Sequence, residues 1–198
     1  MLCARVAQAV PTVRGATGFI AIPSAQLMQS AAIFTRSGVV STTGTQSFSV
    51  VEGGVINQNG RNFYNGKAQI LPDITTDDEW VPGVAVGVRG LGSTNENRDY
   101  YFLLQKKFTF PECTVVWGMN KLVDWKTGKW GGFYGVELPL FMGFTVLADH
   151  ENHTNITNMG VRWVFQKTYA VYDYYEDALG RSANPKQNTI GACYQKHF

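Results

Sequence analysis

The stretch Thr157-Asn158-Met159-Gly160-Val161-Arg162-Trp163-Val164-Phe165 decides how the chain is read. On an extended backbone Met159, Val161, Trp163 and Phe165 share one face, and Gly160, Arg162 and Val164 the other. Strict alternation argues a strand; an amphipathic helix would repeat its apolar residues every three or four positions. The pattern returns on both sides. In 83–91, Val84, Val86 and Val88 oppose Gly83, Ala85, Gly87 and Arg89. In 131–138, Tyr134, Val136 and Leu138 oppose Phe133, Gly135 and Glu137. In 188–198, Ile190, Ala192, Tyr194 and Phe198 oppose Thr189, Gly191, Cys193 and His197.

Turn residues cut the chain into about twelve such segments: 17–23, 31–40, 46–57, 66–71, 83–91, 99–108, 113–119, 131–138, 143–150, 157–165, 169–175 and 188–198. Residues 1–16 are irregular, and Ala25 to Ala32 fits one short helical turn. The expected fold is therefore all-β, a closed antiparallel transmembrane β-barrel of about 10–12 strands over 17–198. The segment 1–16 precedes it. Within it Val6-Ala7-Gln8-Ala9 has the small-x-small form of a signal-peptidase site, as a signal-peptide remnant would.

Alternation does not say which face points outward. A soluble barrel, such as one that binds a hydrophobic ligand in the manner of a lipocalin, turns its apolar face in. A membrane barrel turns it out to lipid. Three features favour the membrane. The second face carries glycine, alanine and threonine with isolated charges, where a soluble sheet would carry many lysines and glutamates. Only 16% of the residues are charged, while 13% are aromatic. Connections also alternate: 176–187 is long, 166–168 tight, 151–156 intermediate, 139–142 tight, 120–130 long and 109–112 tight. Short periplasmic turns and longer outer loops have this rhythm. The linker 72–82 breaks it. Third, Ile190, Ala192, Tyr194 and Phe198 alternate to an aromatic terminus, the form of a C-terminal signal for the barrel assembly machinery.

The lipid-facing set is then Val84, Val86, Val88, Met159, Val161, Trp163 and Phe165. Trp80, Tyr100, Tyr101, Trp117, Trp125, Trp130, Tyr172, Tyr174 and Tyr175 lie near segment ends, where interface girdles form. The expected lumen charge network is Glu137 with Arg162, reaching over Thr145 and extended by Asp149 and Arg89. Residues up to about Arg14 are expected on the periplasmic side, loosely packed.

Other chemistries leave weaker traces. The net charge of +2 and the lack of a basic stripe exclude nucleic acid as a partner. No Gly-x-Ser-x-Gly elbow, His-Glu-x-x-His or Walker loop occurs, so no catalytic residue, cofactor site or metal site is assigned. Asp149, His150, Glu151 and His153 lie together, but a polar loop explains them better than a metal site. The sequons Asn152-His153-Thr154 and Asn155-Ile156-Thr157 are loop residues in a bacterial protein. The acidic run Asp73 to Glu79 is read as a solvated linker, and Gly53-Gly54 and Gly131-Gly132 as strand bends. Cys3, Cys113 and Cys193 match no metal spacing; a Cys113–Cys193 bridge is open in an oxidising periplasm. An outer-membrane lipid-modifying enzyme would need His150, His153 or His197 as its base.

Several runs resemble the YjbH family of bacterial outer-membrane proteins, as a short single-barrel relative. Gly15-Ala16-Thr17-Gly18-Phe19-Ile20-Ala21-Ile22-Pro23-Ser24-Ala25 is similar to its N-terminal motif, and Pro82-Gly83-Val84-Ala85-Val86-Gly87-Val88-Arg89 to its Pro-Ala-Val-Ala-Val-Gly-x-Arg strand. Gly131-Gly132-Phe133-Tyr134-Gly135-Val136-Glu137-Leu138-Pro139-Leu140 resembles its Phe-Gly-Gly-x-Glu-x-Pro-Leu hairpin. Leu147-Ala148-Asp149-His150 departs from the family's Glu-Tyr-Asp cluster. The resemblance implies a bacterial outer-membrane location and a structural or porin-like transport role. It further implies support of exopolysaccharide or capsule secretion, with outer-membrane lipid and polysaccharide export components as partners.

Overall fold

A computed structural model describes residues 10–11, 17–18, 23–26, 29–36, 39–75, 80–92, 98–109, 112–123, 128–165, 168–180 and 186–196. Twelve antiparallel strands close into one barrel. In chain order they are β1 (Gln29–Arg36), β2 (Val39–Phe48), β3 (Val51–Gln58), β4 (Arg61–Leu71), β5 (Gly83–Leu91) and β6 (Arg98–Thr109). They continue as β7 (Glu112–Val123), β8 (Gly128–Pro139), β9 (Phe144–Glu151), β10 (Ile156–Phe165), β11 (Tyr169–Glu176) and β12 (Gln187–Lys196). Each strand pairs with the next, and β12 returns to β1 with Lys196 opposite Gln29. Closure leaves no ladder edge, which lipid would not tolerate.

The strand total matches the expectation, but the membership differs. Thr17–Gly18 pairs with Val10–Pro11 in a separate two-stranded sheet, so these residues of the expected 17–23 strand do not join the barrel ladder. The segments 31–40 and 46–57 conceal three strands, β1, β2 and β3. Ser49-Val50 turns the β2–β3 hairpin, with Ser49 at φ 53°. Asn59 and Gly60, at φ 53° and 75°, turn the β3–β4 hairpin. Two consecutive positive φ values are the type I′ geometry that matches strand twist, and Asn-Gly adopts it readily. Where a helical turn is expected at Ala25 to Ala32, the described residues from Gln29 on are strand β1.

Both chain termini of the barrel lie at one end, called here the terminus end. Its connections are 49–50, 72–82, 110–111, 140–143 and 166–168. The loop end has 37–38, 59–60, 92–97, 124–127, 152–155 and 177–186. The connection expected at 120–130 shrinks to 124–127, because β7 and β8 extend further than their alternation suggests.

The outer wall is mostly apolar, with Thr42, Gln46 and Asp173 among its few polar outward residues. Val86, Met159, Val161 and Trp163 are 37%, 46%, 48% and 42% exposed. Val84, Val88 and Phe165 lie on the same outward register, opposite Leu104, Tyr100 and Tyr169 respectively. At the terminus end an aromatic row runs across four strands. Phe144 stacks on Trp163 at 5.6 Å, Trp163 meets Phe165 at 5.2 Å, Phe165 stacks on Tyr169 at 5.7 Å, and Tyr169 meets Tyr194 at 5.6 Å. Tyr64, Tyr100, Trp130, Tyr134 and Tyr175 form the outward aromatics toward the loop end. Phe108 and Tyr100 bound the belt on β6, about 26 Å apart along the strand at ~3.3 Å per residue.

Candidate functional site

The site is the lumen, because most of the buried charged residues point there. Glu52, Lys67, Arg89, Asp99, Glu137, Asp149, Glu151 and Arg162 are all buried. Inward parity puts them there, and pairing makes the burial tolerable.

Glu137 Oε1 accepts a hydrogen bond from Arg162 Nη2 at 2.6 Å, which makes the expected pair. Thr145 is buried between them, opposite Arg162 on the β9–β10 ladder. The register differs from the expectation by two residues: Pro139 lies opposite Thr145, and Glu137 opposite Leu147. Asp149 accepts from Asn158 Nδ2 at 2.7 Å. Arg89 is held in a second cluster nearer the loop end, by Asp99 and by Glu151 at 3.2 Å. Its guanidinium also lies 5.6 Å from the Tyr101 ring centroid. Asn120 donates to Glu151 Oε1 at 3.3 Å, and Thr154 to Glu151 Oε2 at 3.3 Å.

Three girdle assignments are corrected. Tyr101, Tyr172 and Tyr174 are buried inside the barrel, while Trp80, Tyr100, Trp117, Trp130 and Tyr175 point outward. Trp125 lies outside the described residues. The inward rings explain the inward glycines. Tyr101 is opposite Gly87, Phe133 opposite Gly118, Tyr174 opposite Gly160 and Tyr172 opposite Gly191. A Cβ on each of these glycines would run into the ring facing it. Glycine on one strand thus gives the aromatic on its neighbour room to lie flat on the wall.

An apolar layer crosses the lumen between the charge clusters. Leu103, Val116, Phe133 and Leu147 are fully buried and belong to one packed group with Ala25, Phe34, Tyr172 and Tyr174. Sequence reasoning missed Lys67, which pairs with Glu52 at 3.3 Å, and both are buried. Alternation through Gly66-Lys67-Ala68 was the available signal.

The remaining candidates separate. His150 points outward, takes part in a 2.8 Å hydrogen bond with Thr157 Oγ1 and packs on Tyr134. His153 lies near Asn120 and 4.0 Å from Glu151, and Thr154 bonds Glu151 from the same loop. Among the described residues no group of His, Cys, Asp and Glu has the arrangement of a metal site. Cys113 and Cys193 are not bridged: one points outward on β7, the other inward on β12, so the wall separates them. Cys3 and Phe198 lie outside the described residues. Ile190, Ala192 and Tyr194 face outward on β12.

The described parts of the linker, 72–75 and 80–82, are not free in solvent. Asp73 accepts from Lys106 Nζ at 3.0 Å and from the Lys107 N–H at 2.7 Å. Lys106 points to the outer wall by parity, yet it is buried, because the Ile74 and Val81 carbonyls and the Trp80 ring also surround its ammonium.

No family model matches the chain, and no curated protein does. Solved structures do. A KdgM porin superposes with a TM-score of 0.64 at 12% identity, covering 86% of this chain and 100% of that one. A KdgM porin in complex with disordered oligogalacturonate gives 0.63 at 13% identity, with the same coverage. A NanC porin gives 0.55 at 12% identity, covering 85% of this chain and 100% of that one. At such identities the likeness is one of fold: a twelve-stranded closed barrel of porin architecture.

Proposed function

We propose that the chain is an integral outer-membrane β-barrel of a bacterium with a transport role, shut in the described state. One observation carries this reading: the wall is mostly apolar outside, while Arg162, Arg89, Lys67 and five carboxylates are buried inside. A lipocalin-like barrel has the opposite polarity. The fold shared with porins supports the same reading.

Surface-polysaccharide secretion is the finer reading. It rests on the YjbH-like runs at 15–25, 82–89 and 131–140, and on a similar barrel carrying an oligogalacturonate. In this reading the barrel performs no chemistry.

Refolding into detergent or lipid tests the membrane part. The folded barrel should migrate differently from the boiled chain on a denaturing gel and should aggregate without detergent. A monodisperse protein in plain buffer would sink it. Deleting the gene should lower surface polysaccharide in the native bacterium; unchanged polysaccharide would remove the secretion reading and leave the barrel reading standing.

A further inference from the structure

Eight strands make a barrel whose wall side chains just fill it, and sixteen leave an aqueous channel. Twelve lie between, so wall side chains alone should leave a gap. Yet inward residues of every strand are buried, from Phe34 on β1 through Leu103 on β6 to Cys193 on β12. Wall side chains meet across the lumen, as Arg89 and Glu151 do at 3.2 Å, and the segment Pro23–Gln26 packs in with them.

Ser24 and Ala25 are buried, and Ala25 belongs to the same packed group as Leu103 and Phe133. The Ala25 N–H donates to Gln105 Oε1 at 2.9 Å. Gln69 Nε2 donates to the Ala25 carbonyl at 3.0 Å, and Lys67 Nζ to that of Gln26. A Cβ placed on Gly83 would lie 3.2 Å from the Ala25 Cβ. The segment thus crosses β4, β5 and β6 near the terminus end. Wall side chains grip the Ala25 N–H and the Ala25 and Gln26 carbonyls. An amide side chain can rotate and release a backbone group without breaking any strand pairing.

We infer that Pro23–Gln26 is a releasable stopper in the terminus-end mouth, latched by Lys67, Gln69 and Gln105, and that transport requires its withdrawal. This rests on the transport reading above. Lys67 remains paired with Glu52 at 3.3 Å and is no uncompensated charge in the vacated mouth. Gln69 and Gln105 would then offer amide donors and acceptors to a hydroxyl-rich chain.

The test is potassium chloride current in planar bilayers, on the full chain with Cys3, Cys113 and Cys193 replaced by serine. Adding Ala25→Cys and Gly83→Cys places two Cβ atoms near disulfide spacing. Asp73 lies 3.1 Å from that new Cβ and must shift by a few tenths of an ångström. Oxidation should silence the channel, and reductant should restore its openings. Gln69→Ala with Gln105→Ala should raise the open fraction at least tenfold. The heat shift on a gel establishes insertion for each variant. An inserted barrel whose current is the same oxidised, reduced and unlatched overturns the stopper and leaves the membrane reading intact. Failure of every variant and of the parent to insert overturns the membrane reading, and the stopper with it.

Discussion

Glu137 on β8 and Arg162 on β10 meet at 2.6 Å although β9 lies between them. They manage this because the intervening inward residue at Arg162's level is Thr145, too short to block the guanidinium. Both partners are nearly excluded from water. Arg162→Met should therefore cost about 3–5 kcal/mol, since it strands the Glu137 carboxylate. The double change with Glu137→Gln should cost less than Arg162→Met alone. Reversible unfolding of the four proteins in urea and lipid vesicles checks this. Additive effects would show that the two side chains are uncoupled.

The same pair marks how far the sequence can be read. Parity alone put Glu137, Thr145 and Arg162 on one face, because a strand's side chains alternate whatever surrounds them. The two-residue register difference could not be read, since it depends on the shape of the Leu140–Gly143 turn. Tyr101, Tyr172 and Tyr174 were misplaced for a related reason. Aromatics near segment ends look like girdle residues until their neighbours' glycines are set opposite them. The β3–β4 hairpin was legible in principle, in Asn59-Gly60. The lumen occupant was not: Pro23–Gln26 is held by three side chains from two distant strands, and no local pattern encodes that.

The glycine–aromatic pairs predict a contrast. A Cβ on Gly118 would strike the Phe133 ring and lie 2.6 Å from the Phe102 carbonyl oxygen, which cannot move without breaking the ladder. Gly118→Ala should cost about 1–3 kcal/mol. Gly53 faces outward on β3 with nothing within 4 Å of such a Cβ. Gly53→Ala should be neutral or stabilising by up to roughly 1 kcal/mol, because glycine is unfavourable within a strand. Equal effects at the two positions in the urea assay would contradict the packing described.

The Tyr174 hydroxyl is buried and has no hydrogen-bond partner among the described residues. Its ring stacks on Tyr172 at 4.8 Å and fills the space over Gly160. Tyr174→Phe keeps the ring and removes an orphaned polar group. It should leave stability unchanged or raise it by about 1 kcal/mol. Tyr174→Ala should cost about 3–5 kcal/mol. If the phenylalanine variant lost more than about 1 kcal/mol, the hydroxyl would have a partner after all.

On the outer wall, Val86 and Lys106 behave oppositely. Val86 is an exposed apolar residue, and Val86→Arg should cost about 2–4 kcal/mol if it sits near the bilayer midplane. Lys106 already places a cation on the outward register, and its tolerance has a structural reason. The side chains of Lys106 and Asp73 are 7% and 13% exposed, and they meet at 3.0 Å. Asp73→Asn keeps an acceptor for the Lys107 N–H and removes only the charge. The Lys106 ammonium would then keep the Ile74 and Val81 carbonyls but no anion. That loss should cost about 1.5–3 kcal/mol. In a Lys106→Met background the same Asp73→Asn change should be close to neutral, because no charge remains to be compensated. Burial also shields the pair, so the coupling should change little between low and high salt. A coupling near zero at either salt concentration would mean that the 72–82 linker is held by Trp80 and its backbone rather than by the Asp73 carboxylate.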